Sequence, residues 1–328
     1  MGTFLTTSRM DPALARRIEA SVSGRKRKAG GPLLAPRLVA LVRLGLVVGL
    51  AFAGYAAVSA RRSARQEIER TRASLLSAVQ AQAASLTPQE RSAVVRADSS
   101  LVKLAGDYQG DLVAPGLRGP DALKKTLARP AMYVRGPLGS FVNPARIAEA
   151  AALSGKDSLL LCLMEPPASK AEKVLLGPVR AAYTGGTVME DRTSNVRRLQ
   201  DAMVGLPLLA PAWSDRVRAA DDATELAKLR KELDRAPLDR AKQAARAEIL
   251  IVALDEPSDG VGPTELDGER AHGIRVVVID LASSAVLLRM RKLVDPSWIS
   301  LAKKSEYASG LDSCGLAFEV HESVRTAK

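Results

Sequence analysis

Residues 38–60 read LVALVRLGLVVGLAFAGYAAVSA, and this stretch divides the chain into a short basic segment and a long remainder. It is apolar apart from Arg43. A helix over these residues is about 34 Å long, which is enough to cross the hydrocarbon core of a bilayer. Arg43 lies near one end, where its guanidinium can reach the headgroups, and Tyr55 lies near the other, where amphipathic rings are common. The stretch therefore predicts a transmembrane helix over residues 37–60.

Two other interpretations of this stretch stay open. One is a buried core helix of a soluble protein, although few such helices lack a polar face. The other is a cleaved signal peptide, because Val58, Ser59 and Ala60 are small enough for a cleavage site. The segment that precedes the apolar stretch is longer than the usual basic region of a signal peptide, which favours an uncleaved anchor.

Basic residues gather on the N-terminal side of the chain. Residues 1–60 hold nine Lys and Arg against two Asp and Glu. Because short basic segments stay in the cytoplasm and long domains cross regardless of charge, residues 1–36 are expected to form a disordered cytoplasmic tail, with the C-terminal part in the periplasm. One cluster is expected to meet anionic membrane lipids: Arg25, Lys26, Arg27 and Lys28. No aromatic residue interleaves with these charges, so nucleic acid is not an expected partner.

Small residues recur at every fourth position of the apolar stretch, at Gly45, Gly49, Ala53 and Ala57. Residues at this spacing share one face of a helix, and small side chains allow a second helix to approach closely. The spacing therefore predicts a homodimer through this face. The alternative is a chance pattern, because Gly and Ala are common throughout the stretch.

The chain beyond the apolar stretch is predicted to form a helical stalk over residues 61–106 and a module over residues 107–328. The stalk contains a helix start, in which Thr87 is the N-cap, Pro88 takes the first position and Glu90 completes a capping box. Glycines and prolines at the start of the module favour a domain boundary there.

The module is predicted to be an α/β fold, a mixed sheet with flanking helices. Its predicted strands are residues 131–134, SLLLCLM at 158–164, EILIVAL at 248–254, and a hairpin of 273–281 and 285–293. Continuous apolar runs are typical of buried strands. In the last strand, Val286, Leu288 and Met290 are expected to share one face. Residues 190–246 are predicted to be a helical insertion.

The acidic segment after EILIVAL is the best candidate site, because Asp255 and Glu256 follow a buried strand, where α/β folds place ligands. With Asp259 and His272 they are the predicted ligand-binding residues. A calcium loop is excluded, since Leu266 stands where such a loop needs a bidentate Glu. The alternative is a solvated loop without a specific role.

Cysteine and histidine usage narrows the chemistry. Cys162 and Cys314 are the two cysteines, and they can pair if the module lies in an oxidising compartment. Neither His272 nor His321 has another histidine or a cysteine at ligand spacing, so no metal and no cofactor are expected. The sequence contains no Gly-x-Ser-x-Gly elbow.

These observations predict a single-pass membrane protein of a bacterial cell envelope, whose module binds an envelope protein or ligand. Two alternatives stay open. One is an envelope enzyme that uses the acidic loop 255–269 together with His272. The other is a cytoplasmic domain that the same helix tethers with the opposite topology.

Overall fold

The computed structural model describes residues 36–327, except 120, 144–145, 149–150, 152–153, 155–157, 185–190, 258–270 and 300. Only the backbone is described for residues 36–42, 296 and 301–309. The chain divides into two compact units between Gln66 and Glu67. The predicted tail and its basic cluster at 25–28 lie outside the described residues.

Helix α1, Pro36–Ala84, carries the apolar stretch. Its described side chains up to Ala60 are all exposed, and Leu44, Phe52 and Tyr55 expose 61%, 73% and 73% of their surface. Within the described residues, this is the helix that is long and apolar enough to cross a membrane, and none of its apolar window is buried. The helix predicted over 37–60 is confirmed as a helix, and its composition makes it a candidate membrane span.

The second unit begins within α1, where Leu75 and Val79 are fully buried. Two helices follow: α2, Pro88–Arg91, and α3, Ala93–Leu104. The predicted capping box opens α2: the Glu90 N–H donates to Thr87 Oγ1 at 3.2 Å, and the Glu90 carboxylate accepts from the Thr87 N–H at 2.6 Å. Residues 61–106, predicted as a stalk, therefore divide between the two units.

Six strands of the described chain form one sheet. They are β1 Leu112–Val113, β2 Ala131–Pro137, β3 Val196–Arg198, β4 Ile249–Asp255, β5 His272–Asp280 and β6 Ala285–Val294. The order across the sheet is β1-β6-β5-β4-β2-β3. Strand β2 runs parallel to β3 and β4, and the other neighbours are antiparallel. The predicted α/β fold with a mixed sheet and flanking helices is confirmed.

Helices cover both faces of the sheet. They are α4 Ala122–Leu127, α5 Ser158–Met164, α6 Glu172–Thr184, α7 Leu199–Leu209, α8 Pro211–Ala219, α9 Ala223–Asp234, α10 Leu238–Ala245 and α11 Leu301–Thr326. Successive strand residues point to opposite faces, so Tyr133 packs with α4, α5, α6 and α11, whereas Met132 packs with α3, α7 and α10. A third apolar cluster joins the end of α1 to α7, α8 and α9.

The prediction of a strand at 158–164 is wrong, because these residues form helix α5. All seven side chains are buried. A segment that is buried on every side has no polar face, so its hydrophobic periodicity does not distinguish a short helix from a strand. The helix packs between the sheet and α11.

Two further predictions are corrected at the sheet. Residues 190–246 are not entirely helical, because strand β3 lies within them, and three residues are too few to show a strand pattern. Val286 does not share a face with Leu288, since it packs on the opposite side of the sheet. Ile279 pairs with Val286 and Val278 pairs with Leu288, so Leu287 is an extra residue that shifts the alternation by one.

Gly205 in α7 allows close contact with α10, because an added Cβ would lie 2.3 Å from the Cβ of Ala241. We expect Gly205→Ala to lower the free energy of unfolding by about 1–3 kcal/mol through overpacking. The matched control is Gly315→Ala in α11, where the nearest atom to an added Cβ, Lys170 Cε, is at an ordinary 3.6 Å. That control should stabilise by up to about 1 kcal/mol through helix propensity.

Urea unfolding of the full chain in neutral detergent, followed by tryptophan fluorescence, measures both glycine variants. If Gly205→Ala proved as stable as Gly315→Ala, the close approach of α7 and α10 would be contradicted.

Candidate functional site

The carboxyl ends of parallel strands β2 and β4 lie side by side, because Arg135 pairs with Ala253 and Pro137 with Asp255. Strand β5 begins beside them, since it is antiparallel to β4. Arg135 of β2, Asp255 at the end of β4 and His272 at the start of β5 therefore meet at one edge of the sheet. Open α/β sheets commonly hold their ligands at this edge.

Arg135 and Asp255 form a buried bidentate ion pair. The Arg135 Nε donates to Asp255 Oδ2 at 3.2 Å, and its Nη2 donates to Oδ1 at 3.0 Å. Their side chains are only 5% and 2% exposed. The remaining nitrogen, Nη1, donates to the Ser313 Oγ of α11 at 2.9 Å. Charge-assisted bidentate pairs of this kind are among the stronger hydrogen-bonded contacts in proteins, and this one ties two strands to a helix.

Ser154 and His272 lie beside the ion pair of Arg135 and Asp255. Ser154 Oγ accepts from the Arg135 backbone N–H and donates to its carbonyl oxygen, both at 2.8 Å. His272 Nε2 lies 3.5 Å from Asp255 Oδ1. Desolvation by burial would raise the pKa of Asp255, but the charge and hydrogen bonds of Arg135 and the nearby imidazole of His272 outweigh it. The pKa of Asp255 therefore lies below its ordinary value of 3.8.

Asp312 precedes Ser313 on α11, and its pKa is shifted in the opposite direction to that of Asp255. It is 5% exposed, and its Oδ1 accepts a hydrogen bond from Trp298 Nε1 at 3.1 Å. Its buried Oδ2 has no hydrogen-bond partner among the described residues. Desolvation raises the pKa of Asp312 from 3.8 to about 7, although Trp298 and His272 oppose the shift. This carboxyl group therefore keeps its proton to a much higher pH than an ordinary aspartate does.

Asp312→Asn should change how stability depends on pH, since it removes the titrating group and keeps an oxygen for Trp298. A pKa that is higher in the folded state means that the folded state binds more protons. Stability from this group is therefore full below about pH 4 and is lost as the pH rises through about 7. At pH 8 the variant should be more stable than the parent by up to about 4 kcal/mol.

Urea unfolding at pH 5 and pH 8 measures the pH effect of Asp312→Asn. A stability difference between variant and parent that does not change with pH would contradict the raised pKa.

Glu256, one residue beyond β4, is the buried centre of a second ionic group. Its Oε1 accepts from Arg275 Nε at 2.5 Å, and its Oε2 accepts from Arg291 Nε at 2.6 Å. A Cβ at Gly273 would lie 2.3 Å from Glu256 Oε2, so the carboxylate can occupy this place only beside glycine. Arg275 Nη1 also donates to the carbonyl oxygen of Gly106 at 2.6 Å, which connects the sheet to the segment after α3.

Of the four predicted ligand-binding residues, Asp255 and His272 lie together, Glu256 belongs to the second ionic group, and Asp259 lies outside the described residues. Asp255, Glu256 and His272 are buried, at 1%, 6% and 7% exposure, and do not form a solvated loop. Sequence reasoning missed Arg135. Its signal was a charged residue inside the apolar strand AMYVRGP, since a buried guanidinium requires an acidic partner.

The two cysteines lie beside this network. Cys162 of α5 and Cys314 of α11 form a disulfide, with their Cα atoms 5.2 Å apart. Both residues are fully buried, and 152 positions separate them in the sequence. The bridge therefore fixes two helices that cover the same face of the sheet, next to Ser313.

The small residues of α1 point into open space, because an added Cβ at Gly45 or Gly49 would meet no atom within 4 Å. Ala53 and Ala57 are likewise exposed. The homodimer through this face stays a prediction. Among the described residues, no group of three or more His, Cys, Asp or Glu is placed to hold a metal ion.

The fold and site define an α/β domain with one disulfide and a buried ionic network, in a chain that also carries an exposed apolar helix. Comparisons with protein-family models, with curated proteins and with solved structures found no match.

Proposed function

We propose that the protein is a single-pass protein of the cell envelope, whose α/β module lies on the extracytoplasmic side and binds a partner or ligand there. The exposed apolar surface of α1 carries this proposal. Large side chains such as Leu50 and Phe52 expose 65% and 73% of their surface. Exposing apolar surface to water costs about 25 cal/mol per Å², and a continuous patch of this kind marks a lipid or protein contact.

The disulfide supports the extracytoplasmic side. Disulfides persist in oxidising compartments such as the periplasm and are rare in the cytosol. The Cys162–Cys314 bridge is compatible with a module that has crossed the membrane. The basic residues 25–28 then remain on the cytoplasmic side, where they can contact anionic lipid headgroups.

A binding role fits the ionic network better than a catalytic one. A general base needs a carboxylate within reach of a substrate proton. Both oxygens of Asp255 accept hydrogen bonds from Arg135, and both oxygens of Glu256 accept from arginines. These groups are therefore engaged in holding strands and helices together. If the protein were instead an enzyme that uses these residues, the double variant Asp255→Ala/His272→Ala would lose its enzymatic activity.

A C-terminal reporter fusion tests the topology. A reporter active only in the periplasm should be active on a full-length product, and a thiol reagent should label the denatured protein only after reduction. An active reporter on a product about 60 residues short would mean a cleaved signal peptide. Activity from a cytoplasmic reporter would show that the module lies in the cytoplasm, which is not an oxidising compartment, and would contradict the proposal.

We also propose the homodimer through Gly45, Gly49, Ala53 and Ala57. Because a large side chain prevents close approach of two helices, Gly49→Ile should abolish chemical crosslinking of the dimer in membranes. Gly54→Ile is the matched control, since Gly54 lies in the same apolar segment but outside this spacing. Equal crosslinking in both variants would rule out dimerisation through this face.

A further inference from the structure

A groove of 850 Å³ lies between α7, α8 and α9, away from the ionic network. Its apolar lining consists of Met203, Val204, Pro207, Leu208, Ala212 and Trp213. Val204 is 41% exposed, although it belongs to a helix that is otherwise rich in buried residues. Within the described chain, Val204, Pro207 and Ala212 give the groove its exposed apolar surface, whereas Leu208 and Trp213 are buried beneath it.

Basic side chains form one wall of this groove. Lys228, Lys231 and Arg235 line it, and their spacing of three and four residues places them along one face of α9 and its C-cap. All three are exposed, and none has an acidic partner within the part of the chain that the structure describes. They leave three uncompensated positive charges beside the apolar lining.

The acidic residue of the groove does not neutralise this wall. Glu232 Oε1 accepts from Arg216 Nη2 at 2.9 Å, and its Oε2 accepts from Trp213 Nε1 at 3.3 Å. The hydrogen bond from Arg216 outweighs the opposing desolvation and lowers the pKa of Glu232, so this carboxylate is ionised and engaged at neutral pH. The charge that the groove offers to a partner is therefore positive.

We propose that this groove binds an acidic amphipathic helix of a partner protein. Its apolar face packs on Val204 and Pro207, and its carboxylates face Lys228, Lys231 and Arg235. Lys228 and Arg235 are seven positions apart, about 10 Å along the axis of α9 and its C-cap, which corresponds to two turns of a bound helix. Apolar grooves with charged walls recognise amphipathic helices in this way, with charge complementarity selecting the partner.

The shape of the groove favours a helix over a lipid surface. The apolar lining lies between α7, α8 and α9, so a rod with protruding side chains can reach it. A flat headgroup layer would touch the charges and leave the lining exposed. The inference rests on the proposed binding role of the module, but it does not depend on the topology.

The test uses the full chain in neutral detergent and a display library of helical peptides. Leucine is fixed at the i, i+3, i+4 and i+7 positions, and the polar face is randomised. Selection should enrich Asp and Glu on the polar face. The best peptide, measured by fluorescence anisotropy, should bind at least about tenfold more weakly to Lys228→Glu/Lys231→Glu/Arg235→Glu, a loss of about 1.4 kcal/mol.

Two controls separate the groove from net charge. Lys124→Glu/Lys125→Glu/Lys173→Glu changes the net charge equally on exposed residues elsewhere, and it should leave binding unchanged. Val204→Asp should weaken binding without altering the basic wall. Thermal unfolding should be the same for all variants, because each substituted side chain is exposed.

The proposal is overturned if acidic peptides are not enriched, or if both triple variants bind the selected peptide equally. Binding to anionic phospholipid vesicles without any peptide enrichment would identify a lipid surface as the occupant and would also overturn it. None of these outcomes changes the result of the reporter fusion. The proposal for the groove and the proposal for the topology can therefore be contradicted independently.

Discussion

Arg135→Met is expected to lower the free energy of unfolding by about 3–5 kcal/mol, because it leaves the Asp255 carboxylate buried without its counterion. Methionine retains the aliphatic part of the side chain and removes the three donor nitrogens that contact Asp255 and Ser313. The buried carboxylate cannot recover its hydration, so the loss exceeds the net stabilisation by the pair itself.

The effect of Arg135→Met should depend on pH. In the parent, the lowered pKa of Asp255 contributes stability that is present above about pH 4 and is lost as the pH falls below its folded value. Without Arg135, desolvation raises the pKa of Asp255, so the carboxyl group can take up a proton at mildly acidic pH. The stability deficit of the variant should therefore be larger at pH 7 than at pH 5.

Two controls define the Arg135 experiment. The double variant Arg135→Met/Asp255→Leu should recover most of the loss, since a buried ion pair can often be replaced by apolar groups. Arg129→Met removes ion pairs to Glu248 and Asp280, in which the side chain of Arg129 is 38% exposed, and it should cost less than about 2 kcal/mol because each such pair contributes at most about 1 kcal/mol. Equal losses for Arg129→Met and Arg135→Met in urea unfolding would show that Asp255 is hydrated.

Removing the disulfide through Cys162→Ala/Cys314→Ala is expected to cost about 5 kcal/mol. The bridge closes a loop of 152 residues, and cross-linking a long loop removes much of the entropy of the unfolded chain. The unfolded state of the variant should also be more expanded, so the urea dependence should become steeper.

Reduced and oxidised parent protein are the controls for the disulfide. Unfolding of the parent in reductant should match the double alanine variant, because both lack the cross-link. Cys314→Ala alone should lose as much stability as the double variant, since either substitution breaks the bridge. A double variant as stable as the oxidised parent would contradict the disulfide as a stabilising element.

Sequence alone determined the features that depend on local pattern. The apolar stretch specified α1, because length and composition suffice for such a helix. Thr87 and Glu90 specified their capping box, since both partners lie within one turn. The hairpin of β5 and β6 and the strand β4 followed from β-branched runs bounded by turns.

Tertiary structure decided the features that depend on distant residues. Residues 158–164 form a helix that α11 and the sheet enclose on every side. Because these contacts come from distant parts of the chain, the local sequence contains no periodicity that indicates a helix. The fold places Arg135 against Asp255, which is 120 positions away in the sequence, and Cys162 against Cys314, which is 152 positions away. The sequence located the candidate site only from its acidic residues, Asp255 and Glu256, because their place at the end of a strand can be inferred from that strand. The counterion of Asp255 could not be inferred, because it depends on which strand lies beside β4 in the sheet.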